Sequence, residues 1–547
     1  MNVINQEKTT KKRDSLKRQT VIIIAAFAAA LILGVLYFTV FRPMLDVRTY
    51  EDYTLRSGEG VNVSGCRVEK AEGDGKLTYS ADGKVAYSTG GSLTLHCDVT
   101  DARATAGRYY MFPTIDAADI ARIEIENEHG SYGFYLDETY GETYIIGCPG
   151  TPYISEEYSG LTAAARNPMS MKRVTENAED LSVYGLDGSD APAKYTITSK
   201  SGDSHTVLIG DMLVTGGGYY CTVEGCRAVY VMDTSMAYLL RTVESYVNPV
   251  VSYPLSETDY YTVSEFTLRV DGEVLVSCGF MSDEERQATA STSTYKMFVP
   301  ENYVPSTANY GAILRKFTSP SGSEVLKFGP VTEVLPESVR AEYGLDKPKY
   351  EIYYKYKGID NYIYVSEQNG DGSYYAYSML FNTIVRVEAD TFDFLRFEFI
   401  DFVDRPMFQK NINDVASIRI EGEGVDELFV ITGDSQETLA VTPQSTGRAL
   451  DARMLKNFRL LYRKMLGLTL EEYAPEPYTE NRIMRMTVVT DVGIEYVYDF
   501  YAYSTRRCYF TINGEGEFYC LRDRVEQIVK DTAAVMNGED IDVENLG

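Results

Sequence analysis

Three histidines, eight cysteines and 80 carboxylates are the side chains with which this 547-residue chain could do chemistry. A nucleophilic mechanism needs a base beside a serine or cysteine. The histidines are His96, His129 and His205, and His205 sits in SGDSHTVLIG between two expected strands. No GxSxG pattern surrounds any serine, and SMK at Ser170 to Lys172 is one residue too short for SxxK. Paired carboxylates could hydrolyse a glycoside, but so many acids supply a suitable pair almost anywhere. Gly216-Gly217-Gly218 and the GDGK string from Gly73 lack the Lys-Ser or Lys-Thr that completes a phosphate loop. NGDGS at Asn369 to Ser373 lacks the alternating ligands and terminal Glu of a calcium loop and reads as a turn. There is no CxxC, and only His96 stands beside a cysteine, Cys97. No catalytic, metal or cofactor residue is expected, and the chain reads as a non-enzyme.

Two residue sets remain. Cys221 and Cys226 flank TVEG, and Cys508 and Cys520 flank YFTINGEGEFY; each pair could meet across a hairpin as a disulfide. The alternative is eight small buried thiols. The second set is the helix expected over 448 to 466, RALDARMLKNFRLLYRKML. Leu450, Met454, Phe458, Leu461 and Met465 form a core-facing stripe, while Arg453, Lys456, Arg459, Arg463 and Lys464 gather on the rest. They read either as internal counter-charges or as a docking surface for an acidic partner or an anionic wall polymer.

The elements around these sets begin with an anchor. Val21 to Phe41 is 21 residues without a charge, about 30 Å as a helix and enough for a bilayer core. It is longer than a cleavable signal's apolar region, so an uncleaved transmembrane helix is expected over 21–41, ended by Arg42 and Pro43. Lys8, Lys11, Lys12, Arg13, Lys17 and Arg18 mark 1–20 as a cytoplasmic tail. The rest then lies outside the cytoplasm, as a single-pass membrane protein. Net charge is −28. Without the six basic and two acidic residues of that tail, 52 and 80 fall to 46 and 78, a net of −32. So acidic a body repels phosphate backbones and excludes nucleic acid as a partner.

Beyond the anchor the fold class is α+β: a mainly antiparallel-β ectodomain of three similar α+β units in series. Each unit opens on an alternating strand, DIARIEIEN, VSEFTLRVD or DVASIRIEG. A helical stretch follows, with a basic dipeptide at Lys172-Arg173, Arg315-Lys316 or Arg463-Lys464. A tyrosine motif comes next, at Tyr184, Tyr343 or Tyr473, and Ala474 replaces its glycine in the third copy. A tyrosine-rich hairpin and a closing helix finish the unit, the helices falling near 236–247, 393–403 and 521–535. The second copy carries TSPSGSEVLKFGPVTEVLPE as an apparent insertion. The units span 116–255, 256–410 and 411–547, with a β-rich stalk or small domain at 42–115. The 45 tyrosines read as strand residues with packed rings and wet hydroxyls, or else as an aromatic surface.

The run YGLDGSDAPAKYTITSKSGDSHTVLIGD, with its Ile209-Gly210 step, followed by GGGYYCTVEGCRAVYVMD, resembles the family catalogued as domain of unknown function 4340. The likeness is clearest over 116–255 and fades through the later units. It brings no catalytic motif. It implies a bacterial cell-surface, extracytoplasmic accessory role beside ABC-type exporters, with a permease and an ATPase as partners. The alternative is a cell-wall or glycan-binding surface protein that acts without a transporter.

Overall fold

The structure is a computed structural model that describes residues 3–42, 48–187 and 191–541, with side chains from residue 17 onward. Pro43, residues 188–190 of the first tyrosine motif and the end of the third unit from 542 lie outside the described residues. The first helix, α1 (Val3–Leu36), runs into a π-helical turn at Tyr37–Phe41. It therefore starts well before the apolar run. The Lys, Arg, Gln and Glu residues there are good helix formers and extend it toward the amino end. Lys17–Phe41 is long and apolar enough to cross a membrane.

The chain divides into two compact units. The first comprises residues 1–146 and 155–243, and the second 147–154 and 244–547. The first unit holds two small sheets between Tyr50 and Tyr110, one of three strands and one of four, followed by an eight-stranded sheet. The second unit holds two more eight-stranded sheets.

All three large sheets share one topology. The first runs, in spatial order, Glu142–Ile145, Gly130–Asp137, Ile120–Asn127, Ala193–Ser199, Ser204–Met212, Tyr219–Val223, Val229–Met232 and Lys172–Thr175. Numbered along the chain, that is the order 3-2-1-5-6-7-8-4. The second sheet (Glu265–Val387) and the third (Val415–Leu521) repeat it. Every pairing in the first is antiparallel. The repeat expected from the sequence is therefore a repeat of strand order.

Strand alternation decides what each face does. In the first sheet Ile123, Ile125, Tyr195, Ile197, Val207 and Ile209 share one buried face. Helix α2 (Ser155–Arg166), between strands 3 and 4, packs there, and the Tyr195 hydroxyl donates to the Ala165 carbonyl at 3.2 Å. Its counterparts are Thr307–Lys316, with Tyr310 against Phe266, and Ala452–Leu466, with Phe458 against Phe429. The opposite face is polar over strands 1 and 5, where Lys194 pairs Glu126 at 2.9 Å and Thr196 bonds Thr206 at 2.8 Å.

Over strands 6 to 8 the tyrosine motif covers that second face. Leu186 packs on Leu208 and Val229, Leu345 on Tyr377 and Ile384, and Ala474 on Tyr509 and Tyr519. Tyr184 meets Tyr220 edge-on at 5.1 Å, and Tyr343 meets Tyr375 at 5.2 Å. Gly185 and Gly344 both have φ 67°, a left-handed turn that favours glycine. Ala474 does not take that conformation, and Glu472–Tyr473 is instead a short edge strand. The Ile-Gly step has a steric cause: a Cβ at Gly210 would overlap the Tyr184 carbonyl oxygen. Ser366 stands at the matching place in the second sheet, beside Gly344.

Three expectations are corrected. Lys172-Arg173 lies on edge strand 4, not on a helix. The true counterpart of the later helices is α2, which precedes it and ends in Arg166. The apparent insertion of the second copy contains Glu324–Phe328, which is strand 4 of that sheet. The extra element there is instead the short helix Asp283–Ala288. Of the closing helices only the third, Arg522–Met536, is α-helical. The others are short 3-10 segments at Thr234–Leu240 and Val243–Tyr246, and at Asp393–Arg396 and Phe399–Asp401. The third is rich in Ala, Glu, Gln, Lys and Arg, whereas the second is rich in Phe and Ile, weaker helix formers.

Some of the tyrosines are more deeply buried than half-wet strand residues. Tyr195, Tyr230, Tyr246, Tyr354, Tyr356, Tyr377, Tyr498 and Tyr509 are among the largest fully buried side chains. Several of their hydroxyls are matched inside the protein: Tyr356 donates to Asp259 at 2.6 Å, Tyr377 to Asn382 at 2.7 Å and Tyr354 to the Tyr253 carbonyl at 2.8 Å.

Candidate functional site

The basic helix Ala452–Leu466 is capped by Asp451, whose carboxylate accepts from the Met454 amide at 2.9 Å. Phe458, Leu461 and Met465 are fully buried, as the stripe requires. The five cations do not form one surface. Lys464 is buried and pairs with buried Asp531 of the closing helix at 2.7 Å. It cannot serve an external partner, which corrects that part of the docking expectation. The reason lies in position: Lys464 follows Leu461 by three residues and so falls on the core side of the helix. Arg453 pairs Asp540 at 2.9 Å, and Arg459 donates to the Gln436 carbonyl at 2.6 Å. Lys456 and Arg463 are exposed, so the surface that remains for docking is Lys456, Arg459 and Arg463.

Near the closing helix the third sheet has an open cleft of about 710 Å³. The turn bearing Glu421, Glu423 and Asp426 forms one side, and Arg482, Arg522 and Lys530 contribute cations. Gly422 permits it: a Cβ there would press on Val529 of the helix. Much of the charge is satisfied internally, since Arg419 grips Asp426 through two bonds of 2.8 Å and Arg522 pairs Glu526 at 2.8 Å. No serine, cysteine or histidine lines the cleft. A polar ligand of mixed charge suits it better than an apolar one.

A second concentration of charge lies in the first unit. Glu59 is 1% exposed. It accepts from Arg173 at 3.0 Å, from the Tyr230 hydroxyl at 2.8 Å and from the Arg56 amide at 2.9 Å. Arg173 also donates to the Thr54 carbonyl at 2.8 Å and lies 3.9 Å from the Tyr109 ring centre. Arg173 on strand 4 and Tyr230 on strand 8 thus hold the small β module to the first sheet. Nothing in the sequence marks Glu59, because Arg173 and Tyr230 lie more than a hundred residues away; Arg173 is half of a basic dipeptide already singled out.

Each histidine has an aromatic or acidic neighbour. His96 stacks on Tyr50 at 5.0 Å and meets Asp52 at 2.6 Å. His129 lies 3.6 Å from Glu128. His205 is half-buried, not a surface residue, and stacks on Phe112 at 4.4 Å; burial lowers its pKa. Gly216 to Gly218 form the hairpin loop between strands 6 and 7. In NGDGS, Asp371 accepts from Ser373 and pairs Arg386, closing a turn. Among the described residues no His, Cys, Asp and Glu cluster has the makings of a metal site.

The cysteine pairs separate. Cys221 lies opposite Tyr230, and Cys226 is in the turn beyond, so the first expected pair does not face across the strands. Cys508 lies directly opposite Cys520, both fully buried. Burial and then the neighbouring Cys508 thiol push the Cys520 thiol well above its usual range.

No curated protein and no solved structure matches the chain. The likeness seen in the sequence over 116–255 and the family match overlap from 152 onward, but the match runs further, through strands 1 and 2 of the second sheet. Residues 152–291 match the family described as Domain of unknown function (DUF4340).

Proposed function

We propose that this protein is a membrane-anchored, extracytoplasmic and non-catalytic accessory subunit of an ABC-type export complex. The observation that carries a scaffold reading is the threefold recurrence of one strand order behind a single bilayer-length helix. Repeated modules can supply binding surfaces without needing a reaction centre. The buried tyrosines and charge networks serve packing, and the charged cleft of the third sheet together with Lys456, Arg459 and Arg463 is the surface for a partner. The exporter itself enters through the family resemblance. The basic flank of α1 supports a cytoplasmic amino end and an outer body.

The test is purification of the tagged full-length protein from its host in mild detergent, with mass spectrometry of what accompanies it. Stoichiometric recovery of a permease and an ATPase with a phosphate loop is expected. Recovery of the protein alone, from membranes shown to contain both, would contradict the proposal and turn attention to binding of cell-wall polymers.

A further inference from the structure

Cys508 and Cys520 hold one topological position that the other two large sheets fill differently. It is a facing pair toward the open end of the strand 7–8 hairpin. The pair is Tyr219 with Met232 in the first sheet, Tyr374 with Val387 in the second and Cys508 with Cys520 in the third. The alignment is fixed by the next pairs, Tyr220 with Val231, Tyr375 with Arg386 and Tyr509 with Tyr519. Those bring a tyrosine to the face that the motif covers. Large side chains fill the place twice, and two small ones fill it the third time. The third sheet therefore has less side chain to pack there, at the point where the chain leaves for its closing helix.

Register is continuous from Arg507–Leu521 to Phe510–Phe518, with no bulge at the cysteines. Directly opposed residues of antiparallel strands have Cα atoms about 4.5–5.5 Å apart, within the roughly 4.4–6.8 Å that a disulfide spans. The two side chains leave the same face of the sheet.

We propose that Cys508 and Cys520 are a disulfide site that staples the last hairpin of the third sheet. The inference rests on the extracytoplasmic reading for its oxidant, an external disulfide, low-mass or carried by an oxidoreductase. One protein thiolate attacks that disulfide, forms a mixed disulfide and releases one external thiol. The second protein thiolate attacks the protein sulfur of the mixed bond and releases the other. Two protein thiols are oxidised, one external disulfide is reduced to two thiols, and the two protons pass to the leaving thiolates. Both cysteines are closed to solvent in the folded sheet, so the exchange precedes closure of the sheet. Cys221 and Cys226 lack the facing geometry and are not such a site.

The test uses the full-length protein in detergent, unfolded with reductant and refolded in an oxidised and reduced glutathione buffer. Free thiols are then alkylated under denaturing conditions. Cleavage after Arg507 and Arg522 places both cysteines in one peptide. The expected result is that peptide two hydrogens lighter, alkylated only after reduction. Reduction should also lower the unfolding midpoint of the wild type and leave that of the doubly substituted Cys508→Ser, Cys520→Ser protein unchanged. A peptide alkylated at both sites, or carrying glutathione at each separately, would overturn the proposal. Protein alkylated directly in native membranes separates the two claims: a pair that crosslinks in glutathione yet is reduced in the membrane upholds the site and sinks the extracytoplasmic placement.

Discussion

Glu59 in the first unit and the Lys464–Asp531 pair in the second are both buried charges that hold one layer to another, and they are built differently. Glu59 has two guanidinium neighbours, a phenol and a backbone amide. Among the described residues Lys464 pairs with Asp531 alone, which receives one further bond, from Gln527 at 2.8 Å. A buried charge is costly when left alone. The first arrangement tolerates the loss of one partner, and the second does not. The difference follows from what is joined: a separate small module in the first unit, and two helices of one sheet in the second.

The largest expected effect breaks the single-partner site. Lys464→Ala leaves Asp531 buried without its cation and should destabilise the second unit by about 3–5 kcal/mol, read by urea unfolding. Adding Asp531→Leu should recover most of that loss. Lys410 sharpens the same lesson through pH. Its ammonium lies 3.6 Å from the Tyr496 ring centre, and burial lowers its pKa to about 8. An unfolded lysine titrates near roughly 10.4, so between about pH 8 and 10 the unfolded chain binds more protons and stability rises with pH. That rise should be about 3 kcal/mol at most and should vanish in Lys410→Met.

At the shared site, Arg173→Ala should cost only about 1–3 kcal/mol, since Glu59 keeps Arg56, Tyr230 and an amide. A loss as large as that of Lys464→Ala would refute the contrast. Gly210→Ala should cost about 1–2 kcal/mol by forcing the Tyr184 turn outward. The smallest effect is that of Arg459→Glu with Arg463→Glu, within about 0.5 kcal/mol, because the helix packs through its other face. Lost recovery of a partner at unchanged stability would then assign that surface to docking.

Much of the architecture is legible in the sequence because period-two alternation and turn chemistry are local. Ile123 and Ile125, Phe266 and Leu268, and Ile418 and Ile420 all lie in buried strand faces. The tyrosine motif repeats because each sheet needs the same cover over strands 6 to 8. The dipeptide Lys172-Arg173 misleads because composition marks a helix end and an edge strand alike; only the pairing with Val231 and Tyr230 tells them apart. The burial of Glu59 and of the Lys464–Asp531 pair is invisible for a related reason. Arg173, Tyr230 and Asp531 are distant in sequence from the groups they meet, and 80 acids give no cue to which one is buried.

The measurement that tests the account most directly is protease treatment of intact cells stripped of their wall, with the protein tagged at each end. The account predicts that added protease destroys the three sheets and spares the amino-terminal tag. Sheets that survive until the cells are lysed would contradict it, and with it both the exporter role and the oxidant for the Cys508–Cys520 bond.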